Sequence, residues 1–175
     1  MHPHRPDGER SQLLSTREIL TPADHQTHRR FLFQVPSQCL ELQMRVHYAP
    51  KHLAQQESVA LIEAALKRHT AELAGRVGDR LASQWLADWR QRAKPGRIAN
   101  LLTVSLDDAS GVYRGAGHRH SNDQHLALGL TAASPGLVAG PLPPGAWMLT
   151  ISAHTLASAQ CELSIQIDAE IASSR

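Results

Sequence analysis

From Cys39 to Tyr48 the chain reads CLELQMRVHY, ten residues that alternate without a break. Leu40, Leu42, Met44, Val46 and Tyr48 take one parity; Cys39, Glu41, Gln43, Arg45 and His47 take the other. A period of two sends successive side chains to opposite faces of a strand, and a helix cannot gather them onto one stripe. The segment therefore has one face for a core and one for water. The same pattern returns downstream. RIANLLTVSLDD alternates on Leu102, Val104 and Leu106, and HLALGL on Leu126, Leu128 and Leu130. AWMLTIS alternates on Trp147, Leu149 and Ile151, and CELSIQID on Cys161, Leu163, Ile165 and Ile167. Upstream, RRFLFQVP opens the first regular element. Short alternating strands separated by turn clusters such as DDASG predict a mainly β fold, an antiparallel, jelly-roll-like β-sandwich.

One stretch breaks the pattern. In QQESVALIEAALKRHTAELAGRVGDRLASQWLADWRQRAK, residues Val59, Ile62, Leu66, Leu73, Val77, Leu81, Trp85 and Trp89 recur at three- and four-residue steps. That is an amphipathic helical stripe. Gly75 and Gly78 weaken its middle, so one long helix and two joined helices both fit. KPGR ends it. The expectation is an α-helical insertion at about 55–93 within a sandwich domain at 29–170, covering a sheet edge or an open end. Residues 1–28, polar and carrying Pro3, Pro6, Gly8 and Pro22, read as a flexible N-terminal tail with at most one turn near STREIL.

Bulk properties narrow the function classes. At 175 residues the chain can bury a core, and a net charge of +2 gives no basic footprint for nucleic acid. No run approaches the roughly 18 apolar residues of a membrane span, and the N-terminus lacks a signal-peptide apolar core. Cys39 and Cys161 have no zinc-type spacing, and their opposite strand parities disfavour a bridge. These features lead to the expectation of a reducing, cytoplasmic setting.

Three segments line up in order: FLFQVPSQCLELQMRVHY, NLLTVSLDDASGVYRGAGHRH and SPGLVAGPLPPGAWMLTISAH. Together, over residues 31–168, they resemble the β-sandwich domain that precedes the catalytic domain in CehA/McbA-like PHP-type metallophosphoesterases. Ser134, Pro135, Gly136, Gly140, Pro141, Pro144, Gly145 and Trp147 fit that family's Gly/Pro turn. The Asp-x-His-x-His-type motif of the PHP catalytic domain does not follow Asp168. The resemblance thus implies a non-enzymatic accessory or protein-interaction module, with a PHP-type phosphoesterase or a second copy of the chain as partner. SPGLVAGPLPPGAW reads as a rigid corner between sheets, because proline presets φ and glycine allows positive φ.

Candidate chemistry is concentrated in GHRHSNDQH. His118 and His120 share one side of an extended segment, and His125 follows with Asp123. Two or three imidazoles with a carboxylate can hold a divalent metal, the one cofactor the residues admit. That is the alternative reading: a metal-binding protein or metal-dependent hydrolase. Arg114 and Arg119 flank the loop as candidate anion binders, weighed against salt bridges to Asp107 or Asp108. Between 55 and 97, eight basic residues stand against five acids, so the helical segment reads as a solvated face over a buried stripe. Trp85 and Trp89 are its candidate partner surface. No nucleophile elbow, P-loop or dinucleotide fingerprint occurs.

Overall fold

The computed structural model describes residues 8–93 and 96–173. Two compact units emerge: residues 1–51 with 100–175, and residues 52–99. The first is built from eight strands: β1 (Gly8–Leu20), β2 (Thr27–Val35), β3 (Cys39–Ala49), β4 (Leu101–Asp107), β5 (Tyr113–Ala116), β6 (Asp123–Gly129), β7 (Gly145–Thr155) and β8 (Cys161–Ala172). One sheet has the order β1-β8-β3-β6 and the other β2-β7-β4-β5. Every pairing is antiparallel. This is the strand order of the eight-stranded jelly roll, two Greek keys folded into facing sheets. The expected sandwich is therefore present, as a complete jelly roll.

The core follows from the alternation. Leu42, Met44, Val46 and Tyr48 of β3 are buried, with Leu163, Ile165 and Ile167 of β8 and Leu126 and Leu128 of β6. From the other sheet come Phe33, Leu102, Val104, Leu106, Trp147, Leu149 and Ile151. Each fully buried aliphatic or aromatic side chain stabilises by about 1.5–3 kcal/mol relative to exposure. Leu40 and Leu130, predicted on the same faces, lie at strand ends and stay partly or largely exposed. Leu40 falls where the β3–β8 register shifts, and Leu130 follows the last residue of β6.

The tail expectation for residues 1–28 is corrected from residue 8 onward. Gly8–Leu20 is a strand hydrogen-bonded along β8. Its alternation is broken by a register shift between Gln12 and Leu14, and its inward parity carries Thr16 and Glu18 beside Leu14 and Leu20. A bulge and mixed polarity hide a strand from a test of strict period two, and both suit a sheet edge. The turn into β2 is also ordered. Asp24 accepts from the Thr21 backbone N–H at 2.9 Å and from Arg29 at 2.6 Å. The Thr21 hydrogen bond, and then Arg29, hold its carboxyl below the ordinary value against an opposing push from burial. Residues 1–7 lie outside the described residues.

The second unit contains α1 (Gln55–Val77) and α2 (Asp79–Arg92). Gly78, at φ 87°, separates them. Of the two readings of this segment, the two-helix one holds. Arg90, near the end of α2, pairs with Glu63 of α1 at 2.6 Å, so the helices form an antiparallel hairpin. The predicted stripe is only partly covered. Leu66 is buried, but Val59, Val77 and Leu81 are 43–47% exposed. The seam uses small residues instead, with Ala64, Ala71, Ala74, Ala82 and Ser83 lining a groove of about 530 Å³. Two helices alone can cover only one narrow seam, which leaves the flanks of a wide stripe in solvent. No described helix is long and apolar enough to cross a membrane.

Candidate functional site

The Gly/Pro segment is built around Arg114. β5 is an edge strand, and the segment following Ser134 hydrogen-bonds along it: Ala116 N–H donates to Gly136 O and Val138 N–H to Arg114 O. The same segment is tied to the edge of the other sheet. Ser134 N–H donates to Ala127 O, and Gly140 N–H to Gly129 O. It is a strap that closes one side of the sandwich and satisfies two sheet edges. Gly115 and Gly136 make the close approach possible. Both have positive φ, 108° and 93°, and a Cβ on either would collide with backbone of the opposite segment.

Arg114 fastens that strap. It is 5% exposed, its guanidinium donates to Val138 O at 3.0 Å and Pro141 O at 2.8 Å, and it pairs with Asp108 at 3.3 Å. It also lies 5.4 Å from the centre of the Trp147 ring, within the range of cation–π attraction. The expected anion-binding role of Arg114 is thereby corrected: its donors are committed to two carbonyls and a carboxylate. The salt bridge to Asp108, weighed as the alternative, is the one present. Trp147 is fully buried and donates from Nε1 to Pro143 O at 2.8 Å, so the corner anchors β7 as expected.

The histidines of GHRHSNDQH come from two elements, and His118 and His125 line one recess of about 290 Å³ with Asp123. His118 and His120 sit on an exposed turn, with ring centres 6.0 Å apart. His118 Nδ1 accepts from the His120 backbone N–H at 3.3 Å. His125 lies instead on β6, with Nε2 3.5 Å from Asp123. Among the described residues no three His, Cys, Asp or Glu side chains are grouped to hold a metal ion. Arg119 is exposed on the same turn and makes no ion pair among the described residues.

What the sequence reading missed lies on the solvent face of the β1-β8-β3-β6 sheet. Arg45 stands opposite His125 of β6 and Gln166 of β8. His47 stands opposite Asp123 and Ser164, and Ser164 opposite Arg17 of β1. Asp123 is 3.9 Å from His47 Nδ1. These residues line a depression of about 240 Å³. The signal was available in the polar parity of β3, which carries Arg45 and His47 as neighbours on one face. Their partners come from strands far away in sequence, so no local motif joins them.

On α2, Trp85 and Trp89 line a recess of about 390 Å³ with Asp88, Arg92 and Ala93. Both rings are half-buried, and Trp85 packs against His69 at 4.8 Å between ring centres. Arg92 is held by Asp88 at 3.2 Å.

Neither cysteine is activated. Both are free thiols, and burial pushes each up to about 11, with the Glu41 backbone carbonyl pulling weakly the other way on Cys39. At pH 8 a two-unit rise leaves about 100-fold less thiolate than an ordinary cysteine has. Iodoacetamide is therefore expected to label Cys39 and Cys161 rapidly only after unfolding, read by mass spectrometry. Fast labelling of either in the folded protein would contradict the burial argument.

No family model, curated protein or solved structure matches the chain.

Proposed function

We propose that the protein is a non-enzymatic accessory or protein-interaction module. It resembles the domain that precedes PHP-type metallophosphoesterases and works beside such an enzyme or a second copy of itself. The observation that carries this reading is the helical hairpin: a self-contained unit inserted between β3 and β4, with two half-buried tryptophans one turn apart on α2. Tryptophans placed in a shallow recess are the side chains most often found to dominate binding energy at interfaces. The strap and its arginine, by contrast, serve the fold. The metal reading is less favoured, since among the described residues no three His, Cys, Asp or Glu side chains are grouped to hold an ion.

The test is direct binding. The catalytic domain of a CehA/McbA-like PHP metallophosphoesterase is titrated against the protein by calorimetry, and sedimentation velocity measures self-association in parallel. Trp85→Ala and Trp89→Ala are each expected to weaken the interaction by about tenfold or more. Binding that is the same in wild type and both variants would remove α2 as the partner surface. No interaction with enzyme or with a second copy would remove the reading itself.

A further inference from the structure

The depression on the β1-β8-β3-β6 sheet gathers donors from four strands. Arg45 is exposed and has no ion pair among the described residues. Arg17 has only a 4.0 Å contact with Glu162, which does not line the depression. The single carboxylate of the lining, Asp123, lies 3.9 Å from His47 Nδ1 and 3.5 Å from His125 Nε2. Two guanidinium groups and two imidazoles therefore face one shared space, held by paired strands rather than by a loop. Groups fixed on strands keep their mutual geometry better than groups on loops.

We propose that this depression binds a tetrahedral oxyanion, the phosphate group of a small ligand. A guanidinium offers a planar fork of parallel N–H donors that matches two oxygens of a phosphate. His47 comes from β3 beside Arg45, His125 from β6 and Arg17 from β1, so a tetrahedral anion presents oxygens to more of these donors than a planar carboxylate can. The charged or titratable groups facing the space are Arg17 from β1, Arg45 and His47 from β3, and Asp123 and His125 from β6.

Calorimetry and NMR titration of the full chain test this with inorganic phosphate, glycerol phosphate, sulfate and acetate as probes. Phosphate and sulfate are expected to bind and to shift the His47 and His125 ring signals, with acetate at least about fivefold weaker. Arg45→Gln is expected to weaken phosphate about tenfold, while Arg80→Gln, exposed on α2, leaves it unchanged. Tighter binding of glycerol phosphate than of inorganic phosphate assigns the site to an ester, and equal binding assigns it to the free ion. Equal weakening by Arg45→Gln and Arg80→Gln would reduce the effect to general surface charge and overturn the proposal. Absence of binding, or acetate binding as well as phosphate, would also overturn it.

Discussion

An Arg114→Met variant is expected to unfold with about 3–5 kcal/mol less stability than the wild type, the usual cost of leaving one member of a buried ion pair without its partner. The side chains of Arg114 and Asp108 are 6% and 7% exposed. Asp108 would keep its hydrogen bonds from Ser110 and Val112 N–H. It would lose the positive charge that balances it. Val138 O and Pro141 O would lose their guanidinium donors as well. For a chain of this length the change corresponds to a melting temperature lower by roughly 10 °C. Circular dichroism measures that directly. Hydrogen exchange adds a local readout, because the amides of Ala116 and Val138 close the strap onto β5. Their protection should fall first. Arg114→Lys keeps the charge but cannot span both carbonyls and the carboxylate with one ammonium group. It should lie between wild type and Arg114→Met. A melting point for Arg114→Met within about 2 °C of wild type, equivalent to under about 1 kcal/mol, would show that the strap is held by its backbone pairing alone.

Asn100→Ala is expected to cost about 3 kcal/mol, since it strands several buried polar groups at once. Asn100 is fully buried, and its amide is completely used. Nδ2 donates to Pro50 O at 2.9 Å and to Ser158 Oγ at 2.7 Å. Oδ1 accepts from Ala157 N–H at 2.8 Å and Ser158 N–H at 3.3 Å. One side chain thus ties the end of β3, the start of β4 and the β7–β8 connection together. The backbone carbonyl of Asn100, which accepts from Tyr48 and Lys51, is untouched by the substitution. Ser158→Ala should cost less, about 1 kcal/mol, and the double variant should cost less than the sum of the two singles because the residues share a hydrogen bond. Urea denaturation of the four proteins gives the cycle. Strict additivity, or a loss below about 1 kcal/mol for Asn100→Ala, would mean that the buried amide is not the organising contact.

Much of the sandwich was legible because burial in a two-faced sheet imposes a period of two. β3, β4, β6, β7 and β8 each carry that period through their buried residues, while Gly75 and Gly78 left one helix or two open and the structure breaks the segment at Gly78. β1 was not legible, because its bulge shifts the parity and its inward positions include Thr16 and Glu18. What holds it is its long pairing with β8, at the far end of the chain. Asn100 gave no signal either, since an asparagine beside a strand reads as turn chemistry until its partners at Pro50 and Ser158 are seen.

The amino-acid sequence by itself determined the class of fold, the place of the helical segment and the burial of Trp147 after the Gly/Pro corner. Those properties are local: alternation, helical spacing and backbone freedom act over a few residues. The use of each charged side chain was decided by the tertiary structure. In the sequence Arg114 stood as a candidate anion binder and Arg45 as one polar residue of an alternating strand. One is enclosed by carbonyls of a strap some 24 residues away in sequence, and the other faces solvent on β3, opposite His125 of β6 and Gln166 of β8. Desolvation and pairing depend on which strands become neighbours, and in a jelly roll most of those neighbours are distant in the chain.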